Sequence, residues 1–252
     1  MSADSSEALI TSGPDLGDGV LSAFSGRAGG MSRPPYESLN LGLGVDDDPA
    51  AVLANRTTLA QACDLPPDHL IFMRQTHSAD VWYAGPGAHD PPRPVDAMFT
   101  DVPGQALCVL VADCVPVLIA DPVARMVGAA HAGREGLARG VVPALVRAMV
   151  SAGARPSRMN AVTGPSICGG CYEVPPELQA RVSAAVPAAR CDTSAGTAGL
   201  DIAAGVRSQL ADAGVISITI DGRCTRESDD LYSHRRQGVT GRFAGLIWLS
   251  PR

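Results

Sequence analysis

The chain has 252 residues, of which 46% are hydrophobic, and it carries a formal net charge of −6. This length and composition allow one large domain with a sizeable core. The acidic balance argues against nonspecific nucleic-acid binding, which needs clustered Lys and Arg, and no apolar run has the length of a membrane span. We therefore expect neither a nucleic-acid partner nor a membrane partner.

The first 19 residues, MSADSSEALITSGPDLGDG, are polar and lack the basic and apolar segments of a signal peptide. We expect residues 1–19 to be a flexible N-terminal tail and residues 20–252 to form one domain. The seven cysteines are odd in number and widely spaced, a pattern typical of reduced thiols rather than of a disulfide framework. These features predict a cytoplasmic protein.

The first hundred residues predict strands, one helix and turn-rich loops. GVLSAFSGRAGG begins as a strand and ends in a glycine loop, and SRPPYESLNLGLGV is expected to be irregular. Asp48 and Pro49 are typical of a helix start and predict a helix to about Ala62. HLIFMRQTH and ADVWYAG predict a pair of strands flanking Ser78, and a loop follows from Gly85 to Pro94.

The middle of the chain is strongly apolar. ALCVLVAD, VPVLIA and RMVGAAH predict three buried strands, the last two joined by a turn at Asp121-Pro122. Proline cannot donate to a sheet ladder, so Pro116 predicts a kink rather than a regular central strand over residues 114–116. A kink would let Asp113 and Cys114 approach one site, whereas neighbours on a regular strand face opposite sides.

The last part of the chain alternates helices and strands. GLARGVVPALVRAMVSAG predicts a helix in which Pro143 is awkward, and further helices are predicted at PPELQARVSAAV and LDIAAGVRSQLADAG. RMNAVTG, ISITI and FAGLIWL predict strands. Helices and hairpins interleave without a linker, which favours a single α/β or α+β domain with a mixed sheet.

Three residues stand out as candidate metal ligands. His77 and His131 each end a hydrophobic strand, and Cys114 follows another. Two neutral imidazoles and a thiolate can hold zinc and leave its fourth position open for water or substrate. Their spacing matches no local motif, so a buried free cysteine and two hydrogen-bonded histidines are the more common explanation on the pattern alone.

The C-x-x-C motif and the arginines indicate a functional site less specifically than the three candidate metal ligands do. Cys168 and Cys171 form the C-x-x-C, but no second C-x-x-C completes a zinc site, and Pro175 and Pro176 delay the helix that would follow a redox pair. Arginine forks suit an oxyanion such as phosphate. Arg27 precedes Gly29-Gly30, where backbone N–H groups could also face an anion.

A series of segments resembles the laccase-domain family, also called polyphenol oxidoreductases and regarded as purine nucleoside phosphorylases. They occur in order from Phe24 to Leu249: FSGRAGG, YESLNLGLGVDDDPAAVLANR, RQTHSADV, VADCVPVLIAD, GAAHAG, GPSICGGCYEV, CTRES and YSHRRQGVTGRFAGLIWL. The metal motif of that family corresponds to His77, Cys114 and His131. The resemblance therefore reverses the preference for the structural explanation of these three residues.

The resemblance implies zinc-dependent phosphorolysis of purine nucleosides (adenosine, inosine, 5′-methylthioadenosine) to free base and ribose-1-phosphate, with adenosine deaminase side activity. It also implies a single cytoplasmic α+β domain, layered α/β/β/α with mixed sheets, similar to the catalytic domains of cytotoxic necrotizing factors. We expect a monomer with Cys114, Asp113 and His131 as catalytic residues, Asp113 handling a proton. Arg27 and Arg236 are expected to bind phosphate.

One departure from the family pattern bears on phosphate binding. The family usually reads H-A-G-W-R-G, whereas this chain reads H-A-G-R-E-G. Glu135 would repel phosphate at the usual arginine position, and Arg134 could replace the missing arginine.

The three candidate ligands also suit chemistries other than phosphorolysis. Two histidines and a cysteine can bind copper, although five histidines are few for a multicopper oxidase. Cys114 and His131 could form the dyad of a cysteine hydrolase, and the chain could be a metal-binding module without enzymatic activity.

Overall fold

The computed structural model describes residues 9–91 and 93–251, which form thirteen strands and six α-helices. The strands are β1 (Ile10–Ser12), β2 (Val20–Ser25), β3 (Leu70–Phe72), β4 (Val81–Tyr83), β5 (Ala97–Thr100), β6 (Ala106–Val111), β7 (Val115–Asp121), β8 (Met126–Ala132), β9 (Asn160–Thr163), β10 (Arg190–Asp192), β11 (Ala198–Leu200), β12 (Ser217–Ile220) and β13 (Phe243–Leu249). The helices are α1 (Pro49–Ala62), α2 (Arg134–Arg139), α3 (Val141–Ser151), α4 (Pro176–Ala185), α5 (Ile202–Asp212) and α6 (His234–Gln237).

Two mixed sheets form the centre of the fold. The five-stranded sheet has the order β1-β2-β13-β6-β3, in which β3 and β6 run parallel and the other pairs are antiparallel. The six-stranded sheet has the order β12-β9-β7-β8-β5-β4, with parallel pairs at its two edges. Strands β10 and β11 form a separate hairpin.

The core is divided into three layers of buried apolar side chains. One layer lies between the sheets and includes Leu107, Leu118 and Ile247. A second packs α2 to α5 on the outer face of the six-stranded sheet, and a third packs α1 on the outer face of the five-stranded sheet. Alternate residues of β7 enter different layers, as a strand covered on both faces requires. The expected single α+β domain with α/β/β/α layering is therefore what the chain forms.

The predicted pairing of HLIFMRQTH with ADVWYAG is wrong. Strand β3 pairs with β6 in the five-stranded sheet, whereas β4 pairs with β5 in the other sheet. The connection between them crosses from one sheet to the other and carries His77. Strand β5, which pairs with both β4 and β8, was not predicted, because its four residues are all buried and show no alternation.

Two prolines behave differently from the sequence expectation. The helix predicted over residues 136–153 is divided at Gly140 (φ 79°), so that Pro143 lies in the first turn of α3, where a backbone N–H has no helical acceptor. Pro116 lies inside the regular strand β7, opposite His131, and its carbonyl still accepts a hydrogen bond from Gly164. The irregularity falls at Asp113 instead, with φ 94°.

Three further predictions concern the N-terminal tail, the start of α1 and membrane spans. Residues 1–8 of the predicted tail lie outside the described residues, and β1, within the remainder of that tail, pairs with β2. Asp48 caps α1 through a 2.9 Å hydrogen bond from the Ala50 N–H, as the sequence predicted. In residues 9–91 and 93–251, no helix has the length and apolarity needed to span a membrane.

Candidate active site

The three predicted metal ligands meet at one end of the fold. His77 lies in the connection that leaves β3, Cys114 lies between β6 and β7, and His131 lies on β8. One ligand atom from each lies within 4.8 Å of the others. Cys114 Sγ is 3.9 Å from His77 Nε2, and the two imidazole rings are 4.8 Å apart, edge to face. Residues far apart in the chain therefore form one cluster.

Asp96, just before β5, holds the two histidines in place. Its side chain is fully buried. Oδ1 accepts hydrogen bonds from His131 Nδ1 at 2.8 Å and from the His77 N–H at 2.9 Å, and Oδ2 accepts from the N–H groups of Thr76 and Ser78. His77 has a left-handed backbone (φ 60°), which these contacts stabilise. One carboxylate thus fixes both the His77 loop and the His131 ring.

The cluster fits zinc on its own geometry. In the neutral form of His131, Nδ1 donates to Asp96 and Nε2 carries the free lone pair, the usual arrangement around a ligating histidine. Tetrahedral zinc with typical bond lengths separates a sulfur from a nitrogen ligand by about 3.5 Å, close to the separation of Cys114 and His77. A Cβ added to Gly133 would lie 2.7 Å from His77 Cδ2 and 3.0 Å from Cys114 Sγ. The glycine of H-A-G therefore leaves room for the ligands.

The electrostatics of the cluster favour ionised groups. Burial by itself raises the pKa of Cys114, but the adjacent His131 and His77 outweigh it and lower that pKa to about 6. Burial likewise opposes the charge on His131, yet Cys114 and Asp96 raise its pKa to about 9. Burial also opposes ionisation of Asp96, but His131 and the backbone N–H groups hold its pKa well below the ordinary value. The thiolate that metal binding needs is thus favoured, as is the thiolate of a hydrolase.

A cavity of about 790 Å³ opens onto the cluster, a size typical of small-molecule sites. Its wall includes Asp90, Asp113, Tyr172 and His234 beside apolar side chains. The wall is also rich in basic side chains: Arg56, Arg74, Arg134, Arg235 and Arg242. A cavity with a thiolate and imidazoles at one end and guanidinium groups around it suits an anionic or polar reactant.

The two arginines predicted to bind phosphate lie elsewhere. Arg27 is not on the cavity wall, and its guanidinium group donates to the Glu37 carbonyl and pairs with the Glu37 carboxylate at 3.2 Å. Arg236 donates to the carbonyl groups of Thr225, Arg226, Ser228 and Leu231. Their role in phosphate binding stays a prediction, and their contacts favour structural roles.

Asp113 lies on the cavity wall beside Cys114, and the positive φ of Asp113, rather than the predicted kink over residues 114–116, brings the two residues to one site. Its oxygens accept three hydrogen bonds of 2.6 Å, from Thr225 Oγ1, Ser233 Oγ and the Arg235 N–H. These donors occupy both oxygens of the carboxylate and fix its orientation. The contacts therefore favour a positioning role for Asp113 over the predicted proton transfer.

The unusual Arg134 and Glu135 side chains pair with each other, with Arg134 Nε 3.7 Å from Glu135 Oε1, but each also has a second partner. Arg134 reaches the cavity wall and donates to the hydroxyl of Tyr172 at 3.1 Å. Glu135 is not on that wall and pairs with Arg181 of α4 at 2.9 Å. An arginine thus remains at the cavity, one position before the arginine of the usual family motif, and the Glu135 charge is partly neutralised.

Sequence reasoning missed Asp96 and, among the arginines of the cavity wall, Arg56. The signal for Asp96 was one acid preceding an apolar run in PVDAMFT, which resembles many surface turns. The C-x-x-C cysteines do not line the cavity. Burial raises the pKa of Cys168 and, with the Glu227 contact, raises that of Cys171 to about 12, the opposite of a reactive redox pair.

The histidine content of the described residues bears on the copper hypothesis. Two groups of three or more His, Cys, Asp or Glu residues in this part of the chain have metal-binding geometry, and neither contains more than two histidines. A multicopper cluster needs many imidazoles, so this geometry favours a mononuclear site.

The comparisons with known proteins all indicate the same family. The family described as Multi-copper polyphenol oxidoreductase laccase matches residues 21–250. A protein of Streptomyces coelicolor named purine nucleoside phosphorylase is 51% identical over 93% of this chain and 98% of its own length. YlmD of Bacillus subtilis, also named purine nucleoside phosphorylase, is 36% identical over 91% of this chain and 88% of its own.

Solved structures show the same fold. YlmD from Geobacillus stearothermophilus has a TM-score of 0.86 and 32% identity, and the match covers 93% of each chain. The Neisseria meningitidis protein NMB0706 has a TM-score of 0.85 and 33% identity over 97% of this chain and 100% of that one.

Proposed function

This chain belongs to the multi-copper polyphenol oxidoreductase laccase family, and from that premise we propose that it catalyses zinc-dependent phosphorolysis of purine nucleosides. The observation that supports this proposal is the meeting of His77, Cys114 and His131 at one end of an arginine-lined cavity. We propose adenosine, inosine and 5′-methylthioadenosine as substrates, converted by a cytoplasmic monomer to free base and ribose-1-phosphate.

His77, Cys114 and His131 would hold the metal at the end of the cavity, where all three line the wall. Bound zinc supplies a Lewis acid that polarises an oxygen of a reactant. The protein contributes a preset ligand geometry: Asp96 fixes the His131 ring and the His77 backbone, so little side-chain freedom is lost when the metal binds.

Phosphate would bind to guanidinium groups that are free to reach it. Arg56 and Arg242 are half-buried, and the guanidinium group of each donates to backbone carbonyls. Some of their N–H donors are therefore already occupied. Arg134 and Arg235 are exposed and converge on Tyr172, Arg134 through its hydroxyl and Arg235 over its ring at 5.0 Å. We assign Arg134 and Arg235 as the first phosphate ligands.

In the reaction, a phosphate oxygen forms a bond to C1′ of the ribose while the bond from C1′ to the purine nitrogen breaks. The electron pair of that bond leaves with the purine, which then takes up a proton. Two groups on the cavity wall can deliver it: Asp113, the residue predicted from the sequence, and the imidazole of His234. The three hydrogen bonds to Asp113 favour His234.

Three other reactions at the same site would give products different from those of phosphorolysis. Adenosine deamination, proposed as a side activity, would release ammonia and inosine without phosphate. A copper site would oxidise phenols. A Cys114–His131 hydrolase, which a fold similar to the necrotizing-factor toxins would allow, would form a covalent acyl intermediate on Cys114 without metal.

Product analysis tests the proposal. The purified, reduced, zinc-loaded full chain is incubated with adenosine, with and without inorganic phosphate, and the products are separated. We expect adenine and ribose-1-phosphate in equal amounts, dependent on phosphate and abolished in His77→Ala. Adenine formed at the same rate without phosphate, inosine as the sole product in the presence of phosphate, or turnover that persists in His77→Ala would overturn it.

Phosphate kinetics test the arginine assignment. Arg134→Ala should raise the KM for phosphate about tenfold or more, because a charge-assisted hydrogen bond of about 1.5–3 kcal/mol is lost. Arg139→Ala, an exposed arginine later on α2 and away from the cavity wall, is the matched control. Equal KM values for the two variants would exclude Arg134 as a phosphate ligand.

A further inference from the structure

We propose that Cys168, Cys171, Cys224 and Glu227 form a second zinc site that is structural and separate from the cavity. One ligand atom from each of the four lies within 4.8 Å of all the others. Cys171 Sγ is 3.2 Å from Glu227 Oε1, and none of the four residues is on the cavity wall. The proposal is independent of the reaction proposed above.

Two similar turns present these four side chains. In the first, the N–H groups of Cys171 and Tyr172 both donate to the Cys168 carbonyl at 3.0 Å. In the second, the N–H groups of Glu227 and Ser228 donate to the Cys224 carbonyl at 3.1 and 2.9 Å. Each turn therefore places two ligands three residues apart, the C-x-x-C spacing of structural zinc sites.

Backbone contacts hold the two turns against each other. Ser166 and Cys224 form an isolated parallel bridge, and the Thr225 N–H donates to the Ser166 carbonyl at 3.1 Å. The Cys168 N–H also points at Cys224 Sγ, 3.4 Å away. The sequence has no second C-x-x-C motif. The other two ligands come instead from a C-x-x-E turn, Cys224 and Glu227, which lies 56 residues downstream.

The donor set selects the kind of metal. Three sulfurs favour a soft cation over magnesium or calcium, and four protein ligands close a tetrahedron, which is typical of structural zinc. Two tetrahedral zinc–sulfur bonds place sulfurs about 3.8 Å apart, so a small inward movement of these side chains completes the geometry. Arg226, which donates to the Cys171 carbonyl, lies beside the excess negative charge of such a site.

The position of the site explains why the fold would need it. Cys171 directly precedes Tyr172, which contacts Arg134 and Arg235 at the cavity. Cys224 directly precedes Thr225, which donates to Asp113. A metal that joins the two turns would therefore hold this side of the cavity wall together.

Metal analysis of the full chain, kept reduced throughout, tests the proposal. After zinc loading and dialysis, we expect two zinc ions per wild-type chain and one in His77→Ala. Cys224→Ser should also retain one, and the double variant none. Cys191→Ser is the matched control: its sulfur lies near Gly169, outside the ligand group, and it should keep both ions.

Cobalt spectra identify the ligands directly. In the His77→Ala background, cobalt should give the intense thiolate-to-metal absorption of a three-sulfur site, and Cys168→Ser should weaken it. Glu227→Gln, at an exposed position that folding tolerates, should lower the cobalt affinity at least about tenfold, since even residues that only orient a ligand contribute that much.

Several results would overturn the proposal. A His77→Ala chain that binds no zinc or cobalt would exclude the second site. So would an unchanged cobalt spectrum in Cys168→Ser and Cys224→Ser, or cobalt affinity in Glu227→Gln equal to that of the His77→Ala parent. Detection of a disulfide among these cysteines in the protein purified without reductant would show that the thiols serve another purpose.

Discussion

Asp96→Asn keeps the shape of a fully buried side chain and replaces one acceptor oxygen with an amide that donates. In the wild type each oxygen accepts two well-formed hydrogen bonds: Oδ1 from His131 Nδ1 and the His77 N–H, Oδ2 from the N–H groups of Thr76 and Ser78. Whichever way the amide turns, two donors face another donor. The substitution therefore tests whether this carboxylate organises the site.

The expected cost follows from those contacts. A buried donor that loses its acceptor costs about 1–3 kcal/mol, so two such donors cost about 2–6 kcal/mol of unfolding free energy. Because Thr76 and His77 are exposed, water replaces part of the loss, and we expect the lower half of that range. In either orientation the neutral amide is a weaker partner for the His131 ring than the carboxylate, so zinc affinity should fall about 10–100-fold.

Two measurements check these values. Urea denaturation of the metal-free protein gives the change in unfolding free energy, and competition with a chromophoric chelator gives zinc affinity. Asp80→Asn is the control, since that carboxylate is exposed and makes only a 3.9 Å ion pair with Arg93. If Asp96→Asn matches Asp80→Asn in both stability and zinc affinity, the carboxylate does not organise the site.

Three further substitutions test other contacts. Gly133→Ala should sharply weaken zinc binding in the chelator assay, because its Cβ would meet His77 at 2.7 Å, whereas Gly222→Ala, with open space around it, should not. Asp121→Asn should lower stability by about 2–4 kcal/mol at pH 7 in urea denaturation, because this buried carboxylate pairs with a guanidinium group and backbone N–H groups. Burial opposes the charge of Asp121, but those contacts hold its pKa below the ordinary value. The stabilisation is therefore present above about pH 4, and the difference in unfolding free energy between wild type and Asp121→Asn should narrow as the pH falls further. A difference that stays constant with pH would contradict this account. Asn55→Ala removes a buried side-chain amide whose nitrogen lies within 3.1 Å of three acceptors, and it should lower the unfolding free energy by about 2–4 kcal/mol. A loss below about 0.5 kcal/mol in urea denaturation would mean that water replaces the amide.

Local sequence predicted much of the framework. The helix start at Asp48-Pro49, the apolar strands on either side of Cys114 and the strand ending in His131 follow from capping and hydrophobic pattern, which act over a few residues. Family motifs then brought His77, Cys114 and His131 into one hypothesis. The strand pairing around Ser78 was wrong because the residues on either side pair with distant strands, and local pattern does not specify a partner.

The amino-acid sequence specified most of the helices and strands, because periodicity and caps act over a few consecutive residues, and its family motifs pointed to His77, Cys114 and His131. Tertiary structure decided the rest: that Asp96 joins two histidines, that Arg134 rather than Arg27 reaches the cavity, and that Cys224 and Glu227 approach Cys168 and Cys171. Each of these depends on contacts between segments brought together by sheet packing, whose distances no local pattern encodes.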